Sequence, residues 1–156
     1  KNKNSVNTSK NNYYKNYSQA KKVSNQEIKK AELMFENYLP KLLKSKGENA
    51  SIYNQKTFSG DFTGDGYDDI IIWFVYGYGG TAIGGIEAAF YKVSRHNKVE
   101  VVAGFAPNYR FSIENIEKGI VYATKILYDK DDGQCCPSIK IPIKLLYSDN
   151  EIKVNE

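Results

Sequence analysis

The segment "SGDFTGDGYDDI" at residues 59–70 places several carboxylates and glycines directly before an apolar run. Calcium takes about six to eight oxygen ligands, which a flexible loop supplies from alternate positions, with glycine at position 6 for the sharp turn. If Asp61 is position 1, Gly66 falls at position 6. The candidate calcium ligands are the side chains of Asp61, Thr63, Asp65 and Asp69 and the backbone carbonyl of Tyr67.

A plain turn accounts for the same residues. Asp61 can cap a turn formed by Gly64 and Gly66, while the remaining carboxylates face water. Acid and base catalysis is less favoured, because paired catalytic carboxylates need surroundings that separate their pKa values, and a glycine-rich polar loop offers little burial. The spacing leaves a calcium loop and a solvated turn both open.

Both cysteines of the chain, Cys135 and Cys136, are adjacent in the segment "DDGQCCPS". Their Cα atoms lie ~3.8 Å apart across a trans peptide, below the usual minimum of ~4.4 Å for a disulfide. Three interpretations remain: free thiols, a strained and labile disulfide in an oxidising compartment, or a metal or catalytic thiol. The one histidine, His96, lies in the polar turn "SRHNK", and two cysteines with one remote histidine make a poor zinc set.

A third segment, "GYGGTAIGG" at residues 77–85, is rich in glycine. No helix pattern follows it, as a dinucleotide site requires, and no Lys-Ser/Thr pair follows, as a phosphate-binding loop requires. The plain interpretation is a long, mobile hairpin connection. The functional alternative is a recognition loop, since aromatic anchors on loops suit protein interfaces. Its residues would be Tyr76, Tyr78, Gly79, Gly80 and Thr81.

An amphipathic helix is predicted in "SNQEIKKAELMFENYLPKLLKSKG", residues 24–47. Apolar residues recur there at helical spacing, Ser24 is a plausible N-cap, and Gly47 is a plausible stop. Pro40 predicts a kink or a break into two short helices. We expect this helix to face the core.

From Gln55 onward, short β-branched and aromatic runs bounded by turn residues predict antiparallel strands. The fold class expected is α+β, with the N-terminal helix packed on one face of a twisted antiparallel sheet of about six strands. The candidate strand segments lie near residues 55–60, 69–76, 87–94, 98–105, 109–114, 119–128 and 139–147.

The charge of the 156-residue chain is unevenly distributed. Residues 1–23 hold six lysines and no acid, which leaves 16 of the 22 basic groups to face all 18 acids in the remainder. We therefore predict a disordered basic tail at 1–23 and a single domain at 24–156, with no nucleic-acid footprint. An alternative is a weak contact of the tail with an anionic surface. No apolar stretch is long enough for a transmembrane segment.

The acidic loop resembles a known calcium loop. "DFTGDGYDDI", residues 61–70, is similar to the calcium loop of FG-GAP and VCBS repeats, in which Asp-x-Asn/Asp-x-Asp-Gly-x-x-Asp precedes an aliphatic residue; those proteins carry many copies of the loop, and this chain carries one. That resemblance implies calcium and an extracellular setting. Thr63 stands where the family has an acid or amide, so we expect weak binding, with a dissociation constant of roughly 0.1 to 1 mM. A propeller is excluded, because no repeat is present.

The cysteine segment carries a second resemblance. Asp132 followed by "CCPS" at residues 135–138, with "GDFTGDG" and "GGT" earlier in the chain, is similar to small exported bacterial proteins of the LppP/LprE lipoprotein type. The resemblance spans roughly residues 58–147 and implies periplasmic or secreted location more than activity. The start at Lys1, on a polar tail, is also typical of a chain whose signal peptide has been removed.

The function expected from these features is that of a small exported bacterial binding protein. We expect no catalytic residues, because no nucleophile motif such as Gly-x-Ser-x-Gly is present. The partner would be another protein in the cell envelope, and an inhibitor or immunity-type role fits the size. Two alternatives are a thiol/disulfide redox protein that uses Cys135 and Cys136 and an anionic-surface binder that uses the basic tail.

Overall fold

The computed structural model describes residues 19–156. Within that range one α-helix, α1 (Asn25–Lys46), precedes all the strands. Ser24 Oγ accepts the Glu27 N–H, and the Glu27 carboxylate accepts the Ser24 N–H, so both ends of a capping box are present. The Gly47 N–H donates to the Leu43 carbonyl. The predicted helix start and stop are confirmed, and the helix continues through Pro40 without a break.

The strands form two antiparallel sheets of four strands each, in chain order. Sheet one contains β1 (Ser51–Gly60), β2 (Asp69–Gly77), β3 (Ile83–Ser94) and β4 (Lys98–Phe105). Sheet two contains β5 (Arg110–Glu117), β6 (Ile120–Leu127), β7 (Ile139–Ser148) and β8 (Glu151–Asn155).

The predicted single sheet of about six strands is therefore wrong. After β4 the chain passes through Ala106 to Tyr109, which include Pro107, and β5 then pairs only with β6. Proline fixes φ and lacks an N–H, so Pro107 has no donor with which to extend the ladder between β3 and β4. The eighth strand, β8, was also missed; its hairpin turns at Asp149 and Asn150, both of which have positive φ.

Sheet one lies between α1 and sheet two. The apolar side chains of β2 alternate between these two neighbours. On one face, Ile70, Ile72 and Phe74 pack with Ala31 and Phe35 of the helix. On the other face, Ile71, Trp73 and Val75 join the core between the sheets. Burial on both faces explains why β2 reads as a continuous apolar run.

Two contacts fix the spacing of the sheets. Trp73 Nε1 donates to the Phe111 carbonyl at 3.0 Å, and this buried hydrogen bond joins β2 to β5. Gly60, at the end of β1, lies so close to Ile116 of β5 that an added Cβ would stand 2.5 Å from Ile116 Cβ and 2.7 Å from its carbonyl oxygen. Gly60 and Trp73 of sheet one thus contact β5 of sheet two directly.

Candidate functional site

The acidic loop between β1 and β2 is organised by its own backbone. The Asp61 carboxylate accepts the N–H groups of Gly64 (2.6 Å), Asp65 (3.1 Å) and Gly66 (2.9 Å). Gly64 and Gly66 have φ of 74° and 90°, a region that glycine enters at little steric cost. Asp61 therefore closes the turn from within.

Asp69, the last predicted ligand, is fully buried. Its Oδ2 accepts the N–H and the hydroxyl of Thr63 at 3.0 and 2.9 Å, and its Oδ1 accepts the Val93 N–H at 3.0 Å. Burial raises the pKa of Asp69 from 3.8 to about 6, although these hydrogen bonds act in the opposite direction. Asp69 thus joins the loop to β3.

The other loop carboxylates meet lysines of the chain. Lys92 Nζ lies 3.0 Å from Asp65 Oδ2, and Lys22 Nζ lies 3.1 Å from Asp68 Oδ2. The backbone of Lys21, which falls within the predicted basic tail, donates to the Gly66 carbonyl and accepts the Asp68 N–H. Residues 1–18 of that tail lie outside the described residues.

The predicted calcium ligands are close together, but the carboxylates of Asp61, Asp65 and Asp69 accept hydrogen bonds or an ion pair from the protein itself. Among residues 19–156, no three His, Cys, Asp and Glu side chains are placed so that they could hold a metal ion. The Tyr67 N–H donates to the Asp65 carboxylate, and Lys92 holds the same group from the other side. A calcium ion would have to displace Lys92, so calcium binding by Asp61, Thr63, Asp65, Tyr67 and Asp69 stays a prediction.

The structure joins Cys135 and Cys136 in a disulfide. Both residues are exposed, and the loop that carries them is closed by Asp132, whose carboxylate accepts the N–H and hydroxyl of Ser138. The Tyr128 hydroxyl donates to the Gln134 carbonyl at 2.6 Å. His96 lies in the turn between β3 and β4, on a different part of the chain from the cysteine loop.

The glycine-rich segment forms the turn between β2 and β3. Gly79 and Gly80 have φ of 92° and 71°, and the Gly79 N–H donates to the Tyr53 hydroxyl at 2.7 Å. Tyr78 is half exposed, and its ring meets that of Tyr76 edge-on at 6.0 Å. The predicted recognition residues thus lie together at one end of sheet one, with Thr81 exposed at the turn.

Beside this turn lies a cleft of about 670 Å³, between sheet one and the start of sheet two. The size falls within the range of ligand-binding clefts, about 300 to 1,000 Å³. Its residues come from the end of α1, the first half of β3, the β4–β5 connection and the end of β6. They are Lys46, Tyr76, Ile83, Gly84, Gly85, Ile86, Glu87, Ala106, Pro107, Asn108, Tyr109, Arg110, Ile126, Leu127 and Tyr128.

One side of the cleft is an open strand edge. Residues 83–87 of β3 pair with β2 on one side, whereas pairing with β4 begins only at Ala88 with Phe105. All five residues line the cleft. Because side chains alternate between the two faces of a sheet, five consecutive residues border one cleft only along the edge of their strand.

Two glycines of this segment, Gly84 and Gly85, leave room for tyrosine side chains against the strand. A Cβ on Gly84 would stand 2.8 Å from the Tyr78 ring, and a Cβ on Gly85 would stand 2.7 Å from the Tyr76 hydroxyl. The rings of Tyr76 and Tyr78 therefore lie directly against the strand backbone. A glycine inside a strand often marks a place where another backbone approaches closely.

The charges in the cleft leave one cation without a carboxylate. Lys46 pairs with Glu87; although burial lowers the Lys46 pKa, the hydrogen bond and charge of Glu87 raise it overall. The Arg110 guanidinium lies 5.2 Å from the centre of the Tyr128 ring, and no described carboxylate lies within ion-pair distance of it. The cleft therefore presents one unpaired positive group beside three tyrosines.

The sequence did not reveal Arg110, Tyr109 or the open edge of β3. Tyr109 and Tyr128 lie at the ends of the predicted strand segments 109–114 and 119–128, which marks them as strand residues and not as parts of a cleft. The local signals that exist are Pro107, which ends β4, and the two adjacent glycines at 84 and 85 inside a strand-like run. Only the pairing of β3 with β4 shows that these features border the same cleft.

Comparison of the chain with protein-family models, with curated proteins and with solved structures finds no match. Among the residues that the structure describes, no helix has both the length and the apolar character that crossing a membrane requires.

Proposed function

We propose that the protein is a small exported bacterial binding protein that holds another envelope protein in the cleft between β3 and β5. The observation that carries this proposal is the open edge of β3 between tyrosine rings and the unpaired Arg110. An inhibitor or immunity-type role fits such a surface. The proposal assigns binding and not catalysis, because these groups recognise a partner without supplying a nucleophile.

The chemistry of the cleft supports recognition. Tyrosine and arginine dominate the residues that carry binding energy at protein interfaces, and they act best in pockets that exclude water. Tyr128, which lines the cleft, exposes 45% of its surface, and Tyr78, whose ring lies against the cleft residue Gly84, exposes 50%. A partner that covers both rings would bury aromatic surface and would neutralise Arg110 at once.

The disulfide supports the export part of the proposal. Disulfides persist in oxidising compartments such as the periplasm and the extracellular space, and they are rare in the cytosol. Cys135 and Cys136 are joined and exposed, so they would meet cytosolic reductants directly.

The proposal is tested by retention of a partner from an envelope extract of the native bacterium on immobilised protein. We expect a saturable partner on the wild type and on Arg95→Ala, and about tenfold weaker retention on Arg110→Ala, the size of one charge-assisted hydrogen bond. Arg95 is the only other arginine and is exposed in the β3–β4 turn, so it is a matched control. Absence of any saturable partner, or equal retention by Arg110→Ala, would overturn the proposal.

A second candidate function is thiol–disulfide exchange at Cys135 and Cys136, which their exposure favours. An external thiolate would attack one sulfur and form a mixed disulfide while the other cysteine leaves as a thiolate; a second external thiol would then release an oxidised external disulfide and leave both cysteines reduced. We expect Cys136→Ser to abolish oxidation of a small dithiol at neutral pH. An unchanged oxidation rate would eliminate this candidate.

The third expectation, contact of the basic tail with an anionic surface, depends chiefly on Lys1, Lys3, Lys10 and Lys15, which lie outside the described residues. It stays a prediction, and binding to anionic vesicles that weakens as salt rises would support it.

A further inference from the structure

We infer that the open edge of β3, residues 83–87, binds an extended, acidic segment of the partner as an added β-strand, and that Arg110 pairs with a carboxylate of that segment. This inference rests on the proposed function, because it names the mode and the chemistry of binding in the same cleft. In strand addition, hydrogen bonds between main chains supply affinity, and pockets beside alternate residues supply specificity.

The first support is the free hydrogen-bonding capacity of the edge. β3 spans Ile83–Ser94, but its pairing with β4 is confined to Ala88 through Ser94. No described strand or isolated bridge pairs with residues 83–87 on the side away from β2. From Gly85 to Glu87 the pairing with β2 is regular, so the N–H and C=O groups of alternate residues there are directed away from β2 and into the cleft.

The second support is that the side chains of this edge offer little protection against another strand. Proteins shield exposed edges with charged residues, prolines and bulges. The outer strands of both sheets carry such features: a register shift beside Tyr53 in β1, Lys98 and Glu100 in β4, a register shift beside Glu114 in β5, and Lys153 in β8. The edge of β3 has one such feature, a register shift against β2 at Gly84. Residues 83–86 carry no charge and no proline, and Glu87 is paired with Lys46.

The third support is charge. With Lys46 and Glu87 paired, Arg110 supplies the one unpaired charge among the residues that line the cleft. A carboxylate on the added segment would pair with Arg110 beside the Tyr128 ring. The chain's own residues 1–18 have the wrong sign for this position, since they contain four lysines and no acid.

Selection of peptides on the full chain tests the inference. A displayed library of random peptides is selected on the wild type after depletion on Arg110→Ala. We expect peptides that contain an acidic residue and that bind Arg110→Ala about tenfold more weakly, while Arg95→Ala binds them normally. Free and amidated forms of each peptide then distinguish a C-terminal carboxylate from a side-chain carboxylate.

N-methylation of a selected peptide tests the main-chain contacts. The N–H groups of a strand point alternately to its two sides, so methylation of every second residue removes the donors that meet β3 or spares all of them. We expect one methylation pattern to abolish binding and the pattern shifted by one residue to leave it intact. We also expect hydrogen exchange at alternate amides of residues 83–87 to slow when the peptide is added.

The results separate this inference from the proposed function. A peptide that binds the cleft but tolerates both methylation patterns overturns strand addition and leaves a binding cleft. A library that yields no peptide also overturns strand addition. The proposed function is then tested only by retention of a partner from the envelope extract. The amides of residues 83–87 that point away from β2 report on occupation of the edge. Their protection in the isolated protein at low concentration would show that the chain's own tail occupies the edge, and protection only at high concentration would show that a second copy does. Either result overturns the inference.

Discussion

At the scale of residues, the acidic loop is balanced by the chain itself. Asp61 holds backbone N–H groups, Asp65 meets Lys92, and Asp68 meets Lys22. Asp69 is the exception, because it is buried without a cationic partner and relies on three hydrogen bonds from Thr63 and Val93. The pKa of Asp69 therefore differs between the folded and the unfolded protein.

We predict that Asp69 makes stability fall as pH rises from about 4 to about 7. Its pKa of about 6 in the folded protein exceeds the ordinary value of 3.8, so the unfolded chain releases the proton first and gains relative stability across this window. The free energy of unfolding of the wild type, minus that of Asp69→Asn, should fall by up to about 3 kcal/mol. Urea unfolding at a series of pH values measures this difference.

A second aspartate provides a control of opposite sign. The pKa of Asp149, in the exposed β7–β8 turn, is lowered by hydrogen bonds from Ser148 and Lys153 and by the charge of Lys153. The ionised Asp149 carboxylate should therefore stabilise the folded protein at pH values above the ordinary aspartate pKa, and this stabilisation should be lost as pH falls below it. A difference between the wild type and Asp69→Asn that stays constant from pH 4 to pH 7 would contradict the role assigned to Asp69.

Calcium binding gives a further prediction at this scale. Lys92 occupies the Asp65 carboxylate that a calcium ion would need. We therefore expect a saturable, calcium-selective rise in melting temperature that is larger in Lys92→Met than in the wild type, with magnesium as the control ion. At one hundred times the dissociation constant, a ligand of the folded state alone adds about 2.7 kcal/mol. If calcium changes the melting temperature of neither protein, the prediction that this loop binds calcium is wrong.

At the scale of elements, the close approach of the two sheets depends on Gly60. An added Cβ would meet the Cβ and the backbone oxygen of Ile116, neither of which is the end of a flexible side chain. We predict that Gly60→Ala lowers the free energy of unfolding by about 1 to 3 kcal/mol, the usual effect of overpacking. Thermal or urea unfolding, followed by fluorescence of the single tryptophan, Trp73, measures the effect.

Gly104 in β4 is the matched control. A Cβ there would meet no atom within 4 Å, so Gly104→Ala should be neutral or slightly stabilising. Equal destabilisation by both substitutions would show that loss of glycine, and not contact between the sheets, is responsible.

Local patterns predicted the elements better than their arrangement. The helix from Asn25 to Lys46 followed from apolar spacing, Ser24 and Gly47, all of which act within one or two turns. The first residues of β1 and all of β8 were missed, because they are mostly exposed, with only Ile52 and Ile152 partly buried, and are held by pairing with a neighbouring strand. The division into two sheets depends on contacts between distant residues, so spacing along the chain does not encode it.

At the scale of the whole molecule, the cleft results from the three-layer arrangement. β2 is apolar on both faces, so it needs α1 on one side and sheet two on the other. The chain leaves sheet one after Phe105, which exposes the first half of β3 and brings Tyr109 and Arg110 opposite it. The sequence offered the glycine-rich turn as a recognition loop only as the alternative to a plain connection, and it did not point to Arg110, since their proximity arises only in the assembled fold.

The most direct test of a partner-binding cleft is site-specific crosslinking in an envelope extract. A photoreactive phenylalanine replaces Tyr78, whose ring lies against Gly84 of the cleft, or Tyr38, on the helix. These two side chains are exposed to nearly the same extent, 50% and 51%. We predict that position 78 gives a discrete crosslinked partner and that this crosslink disappears when Arg110→Ala is added. We predict no crosslinked partner from position 38. The same products from both positions, or none from position 78, would contradict the partner-binding cleft.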